Sequence, residues 1–114
     1  MALTGGDLTI RHNPRCSKSR AALDLLSAHG LKPLIRLYLQ DPPSLDDLRA
    51  MRAALGLSAA AMLRPAGNAL AGLDDEAILA ALAADPALIE RPMIRLGPRA
   101  VIGRPTEAID ALFP

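Results

Sequence analysis

The chain has 114 residues, of which 51% are hydrophobic, 2% aromatic and 22% charged, and its net charge is +1. That length supports one core, so a single domain is expected over residues 1–114, and the apolar fraction excludes a disordered chain. A charge near zero supplies no field to gather nucleic acid or an anionic membrane, and two aromatic residues (Tyr38 and Phe113) cannot form a base-stacking platform; neither partner is expected.

Met1 to Asp7 contains no basic stretch followed by an apolar one, and no apolar run approaches the ~18 residues of a membrane span, so a cytoplasmic location is expected. Leu8-Thr9-Ile10-Arg11 alternates apolar and polar residues and predicts a short strand. A helix is predicted from Ser17 to about His29, with Ala22, Leu23 and Leu26 inward and Gly30 as its stop. Leu34 to Tyr38 predicts a second strand, and strand–helix–strand in this order makes a right-handed βαβ unit with parallel strands.

Asp41-Pro42-Pro43 breaks the chain, and Ser44 with Asp47 is a capping-box pattern opening a helix that Gly56 ends. Leu45, Leu48, Met51 and Leu55 are its apolar face. Ser58 caps a shorter helical piece ending near Arg64, and Pro65-Ala66-Gly67-Asn68 reads as a loop. Asp74-Asp75-Glu76 starts another helix, with Ile78, Leu79 and Leu82 inward and Asp85-Pro86 as its end. Pro92 to Leu96 and Ala100 to Ile102 predict a hairpin around Gly97-Pro98-Arg99, and a final helix is expected from about Pro105 to Leu112. The order is βαβ, a helical stretch, then ββα.

The chemistry concentrates in His12-Asn13-Pro14-Arg15-Cys16-Ser17-Lys18-Ser19-Arg20. The sole cysteine lies at a strand-to-helix join, with Arg15, Lys18 and Arg20 within four positions. Positive charge and a helix N-terminus both favour the thiolate, which is the nucleophile, and the free N–H groups of the first turn suit an oxyanion. A phosphatase loop would need Arg six residues after the cysteine; Ala22 is there. Cys-x-x-Ser keeps the nucleophile of a dithiol motif without its partner, so a redox cycle at Cys16 needs an external thiol. His12 is placed to approach the sulfur, and Asn13-Pro14 shapes a tight loop. Arg64, Arg91 and Arg104 each end a segment and are candidates to converge on one oxyanion through forked, charge-assisted hydrogen bonds.

The segments Ile10 to Arg20, Tyr38 to Ser44, Met62-Leu63-Arg64, Ile89 to Ile94 and Ile102 to Glu107, in that order, make the chain resemble the glutaredoxin-dependent arsenate reductases over nearly its whole length. The resemblance implies an α/β, thioredoxin-like fold: a mixed four-stranded sheet flanked by helices, with a cis bond at Arg91-Pro92. It implies an oxidoreductase in which Cys16 attacks arsenate, His12 helps to keep it ionised, and Arg64, Arg91 and Arg104 bind the oxyanion. Asn13 and Ser17 complete the candidate substrate-binding set. Glutathione is then the co-substrate and glutaredoxin the partner, with no bound cofactor and no metal. The sequence departs from that pattern after Arg64, where Pro65 to Leu73 is shorter and uncharged. The Cys-Ser-Lys-Ser-Arg loop also resembles a branch whose members need not be dedicated arsenic-resistance enzymes. The alternative reading is a regulatory thioredoxin-like protein that binds a partner such as RNA polymerase without turning arsenate over.

Overall fold

The computed structural model describes residues 8–113; the reading of Met1 to Asp7 lies outside them. Strand β1 (Leu8–His12) buries Leu8, Ile10 and His12 and leaves Thr9 and Arg11 half-buried, the two-residue period of a pleated strand. Helix α1 (Ser17–Ala28) buries Ser19, Ala22 and Leu26. Its end is closed by the Leu31 N–H on the Leu26 carbonyl (3.0 Å) and by Gly30 at φ +74°, a backbone state that glycine enters without strain. Strand β2 (Leu34–Leu37) pairs parallel to β1, Ile10 opposite Ile35. The expected extension to Tyr38 is corrected: the Gln40 and Asp41 N–H groups turn back onto the Leu37 carbonyl, so the strand stops there and Tyr38 is buried beyond it.

Helix α2 (Leu45–Leu55) starts in the predicted capping box, Ser44 and Asp47 exchanging backbone bonds of 3.0 Å each, and ends at Gly56 with φ +67°. Ala59–Met62 forms a short 3-10 turn. Pro65–Leu70, read from composition as a loop, is also a 3-10 helix: Arg64 is extended, as a residue before proline prefers, and its carbonyl takes the Gly67 N–H at 2.8 Å. Helix α3 (Asp75–Ala84) begins with the Asp74 side chain accepting the Ala77 N–H at 2.8 Å.

Strand β3 (Met93–Leu96) runs antiparallel to β1, and β4 (Arg99–Ile102) antiparallel to β3, giving the order β2-β1-β3-β4 in a mixed four-stranded sheet. The hairpin turn is Gly97-Pro98; positive φ at Gly97 (+58°) followed by the fixed negative φ of proline matches the twist of the two strands. The last element, Thr106–Leu112, is 3-10 rather than the expected α-helix. Its buried residues, Ile109 and Leu112, are three apart, the spacing that a three-residue repeat keeps on one face.

Helices cover both faces of the sheet. On one, α1 and the C-terminal turn bury Leu8, Ile10, Leu26, Ile94, Ile109 and Leu112. On the other, α2 and α3 pack over Met93 and Ala100 with Tyr38, Met62, Leu79 and Leu82. With so few aromatic side chains, the core is aliphatic apart from Tyr38. No helix among the described residues is long and apolar enough to cross a membrane.

Both Arg91-Pro92 and Arg104-Pro105 are cis. The segments meet where the Gly103 N–H donates to the Pro92 carbonyl at 2.8 Å. A Cβ at Gly103 would lie 2.9 Å from Pro92 Cγ and 3.1 Å from Ile94 Cδ1. Since a proline ring cannot swing aside, Gly103→Ala is expected to cost about 1–3 kcal/mol through overpacking. Urea denaturation measures this, and a midpoint equal to that of the unaltered protein would show that the two segments separate freely.

Candidate active site

Cys16 is the N-cap of α1, extended at φ −93° and ψ 122°, so the sulfur stands at the open end of the helix. The loop from β1 is tight. The Cys16 N–H donates to the Asn13 carbonyl (3.0 Å), and the Asn13 side-chain oxygen accepts the Arg15 N–H (3.0 Å), an Asx turn. Arg20 reaches back to the Pro14 carbonyl with a 2.9 Å bond.

The cysteine is 9% exposed. Burial is the largest influence on its thiol and pushes it up. The backbone N–H groups of Ser19 and Lys18 and the guanidinium of Arg91 pull it down, and together they win: the thiol ionises below the ordinary cysteine range. Arg104 Nη2 donates to Sγ at 3.5 Å. Its Nε donates to the Arg91 carbonyl at 2.7 Å, which ties the two arginine segments together.

Glu90 stands behind this pair. Its carboxylate is 3.4 Å from Arg104 Nε and 3.8 Å from Arg91 Nη1, and it accepts the Arg91 N–H at 3.2 Å. One carboxylate thus offsets part of two guanidinium charges and limits where they point. The Arg64 N–H donates to the Leu88 carbonyl (2.9 Å) and its Nη1 to the Ala87 carbonyl (3.3 Å). Burial raises the Tyr38 hydroxyl above its ordinary value against the pull of Arg91, of a hydrogen bond with Asn13 and of Arg64, while Cys16 adds to the rise. The buried tyrosine therefore sits among the charges of the site. Ser17 is exposed in the first turn of α1.

His12 is 6% exposed, and its Nδ1 shares a 2.7 Å hydrogen bond with Ser19 Oγ, which also accepts the Asn13 N–H at 3.0 Å. Burial first, and the charge of Arg20 second, hold this histidine below its usual range and favour its neutral form. Ser19, fully buried, connects His12 and the loop to the helix turn whose N–H faces the sulfur. In the sequence, Ser19 stands only as the place where a second cysteine is missing, and nothing marks Glu90 apart from its arginine neighbour. The available signals were a serine three residues after the nucleophile and the acid in Glu-Arg-Pro. Ser19→Ala leaves the Asn13 N–H and His12 Nδ1 buried without this partner and is expected to cost about 1–3 kcal/mol. An unaltered urea midpoint in that variant would remove Ser19 from the framework of the loop.

A mixed sheet with a lone, ionisation-prone cysteine capping the helix after its first strand defines a thioredoxin-like protein with a single-thiol centre. The chain belongs to the ArsC family, whose sequence profile matches residues 11–112. It is 43% identical over 115 aligned positions to the arsenate reductase of Neisseria meningitidis serogroup A, covering 94% of this chain and 98% of that protein. The uncharacterized protein YfgD of Escherichia coli K12 is 38% identical over 108 positions, covering 88% of this chain and 91% of its own. The solved structure of the arsenate reductase from Vibrio cholerae superposes with a TM-score of 0.88 at 36% identity, over 99% of this chain and 100% of that one.

Proposed function

We propose that this protein is an oxidoreductase that reduces arsenate to arsenite through Cys16, with glutathione as co-substrate and glutaredoxin as the recycling partner. The observation that carries the reading is the placement of Cys16 Sγ under the N–H groups of a helix start, 3.5 Å from Arg104 and within the field of Arg91. The names of the relatives from Neisseria and Vibrio support arsenate as the oxyanion.

Arsenate binds with its oxygens on the first-turn N–H groups and the guanidinium groups of Arg91, Arg104 and Arg64, which neutralise its charge for attack by an anion. The Cys16 thiolate displaces one arsenate hydroxyl, which leaves as water. A glutathione thiol displaces a second. The two arsenic-bound sulfurs then join, and the electron pair left on the metalloid takes As(V) to As(III), which takes up one water and departs as arsenite. A Cys16–glutathione disulfide remains. Glutaredoxin and a second glutathione return Cys16 to the thiol, the step that the lack of a second cysteine assigns to an external reductant.

The test is arsenate-dependent oxidation of NADPH with glutathione, glutaredoxin and glutathione reductase present. Turnover is expected only with all components, and is lost when glutaredoxin or glutathione is left out. Capture of RNA polymerase by the protein, with no arsenate-dependent oxidation in the complete mixture, would replace this reading with the regulatory one.

A further inference from the structure

A second cationic pocket lies on the α2 side of the sheet, and the mechanism above does not use it. Arg11 on β1 is opposite Arg36 on β2, and Arg95 on β3 is opposite Thr9 of β1, so three neighbouring strands each contribute a guanidinium. All three line a pocket of about 190 Å³ that is closed on one side by Asp47 and Met51 of α2.

The charges there are incompletely matched. The Arg11 side chain is 12% exposed, and its Nη1 is buried with no hydrogen-bond partner among the described residues. Asp47 is the acid paired with Arg11, but its Oδ2 is 3.9 Å away, beyond hydrogen-bond distance, and accepts the Ser44 N–H of the capping box at 3.0 Å. Arg36 is taken by Asp41 in two bonds of 2.7 and 3.0 Å. Arg95 donates Nε to the Gly97 carbonyl at 2.8 Å, and its remaining N–H groups have no hydrogen-bond partner among the described residues. Burial, with Arg36 and Arg95 adding to it against Asp47 and Asp41, presses on the charged form of Arg11. An arginine stays charged under that pressure, and the relief open to it is an anion.

We infer that this pocket binds a phosphate-sized tetrahedral oxyanion between the guanidinium groups of Arg11, Arg36 and Arg95. Guanidinium groups from three strands, Arg36 with the N–H groups that Asp41 does not take, suit oxygens arranged around a tetrahedron better than a planar carboxylate. The space accommodates inorganic phosphate or the phosphate group of a small monoester.

The test follows the arginine Nε–Hε resonances of ¹⁵N-labelled protein during titration with sodium phosphate, and separately with methyl phosphate, against sodium chloride at matched ionic strength. Saturable shifts at Arg11 and Arg95 are expected with the phosphates and not with chloride. Arg95→Gln should weaken them by roughly tenfold, the value of one charge-assisted bond, with alkylation of Cys16 unchanged. Tighter binding of methyl phosphate identifies a monoester as the ligand, and equal or weaker binding identifies the free anion. Shifts confined to Arg91 and Arg104, shifts that chloride reproduces, or binding indifferent to Arg95→Gln would overturn the site, whatever the fate of the arsenate reading.

Discussion

Cys16→Ser is expected to abolish arsenate reduction in the coupled assay, leaving no turnover above the protein-free rate. Serine is close to cysteine in size, so the tight loop from Asn13 to Cys16 and its backbone bonds should survive. What is lost is chemical: a hydroxyl stays protonated where the thiol ionises, and it cannot form the sulfur–sulfur bond whose formation leaves an electron pair on the arsenic. In the unaltered protein, iodoacetamide should react with Cys16 at a pH below that of an ordinary cysteine, which titrates near about 8.5, and arsenate should slow the reaction. A thiol that ionises lower in the folded state contributes stability that is fully present above the unfolded value and fades as pH falls through the folded one. The serine variant should lack that pH-dependent part in urea titrations. Turnover by Cys16→Ser, or alkylation that rises only at or above the pH of a free cysteine, would falsify the thiolate mechanism.

Much of this architecture is legible in the sequence because it is local. The Leu8–His12 alternation, the Ser44–Asp47 cap, the stops at Gly30 and Gly56 and the Gly97-Pro98 turn are each set by residues a few positions apart. So is the place of Cys16, since a strand, a tight loop and a helix follow in sequence. Two of the 3-10 segments are harder. Pro65–Leu70 has the composition of a loop, and Thr106–Leu112 has the apolar spacing of either helix type. Hydrogen bonding back to Arg64 and Pro105 decides them, and neither shows in hydrophobic period. The Ser19 hydroxyl was hidden for another reason. A serine in a first helical turn ordinarily faces water, and only the packing of β1 against α1 puts this one between His12 and Asn13. The meeting of Arg91, Arg104 and Glu90 at the cysteine joins residues more than seventy positions away from Cys16 in the chain, a matter of sheet order rather than of spacing.

Arg104→Ala should lower kcat/KM for arsenate by about 10- to 150-fold, the equivalent of roughly 1.5–3 kcal/mol for one lost hydrogen bond to a charged group. The side chain is a third exposed, so the lower half of that range is expected. Its removal takes away the Nη2 donor at 3.5 Å from Sγ and frees the Arg91 carbonyl that Nε had bound at 2.7 Å. The sulfur's ionisation rests on the N–H groups of Ser19 and Lys18 and on Arg91. The alkylation profile of Cys16 should shift to higher pH in Arg91→Ala, and also in Arg104→Ala, whose Nη2 donates to Sγ. The two guanidinium groups share Glu90, so removing either also alters how the other is held. Arg104→Lys keeps the charge without the fork and should recover part of the loss, since a point charge neutralises an oxyanion but cannot hold both Sγ and the Arg91 carbonyl. If arsenate dependence is the same in Arg104→Ala as in the unaltered protein, the Gly103-Arg104 segment is a strut for Pro92 and the oxyanion is held by Arg91, Arg64 and the helix start alone.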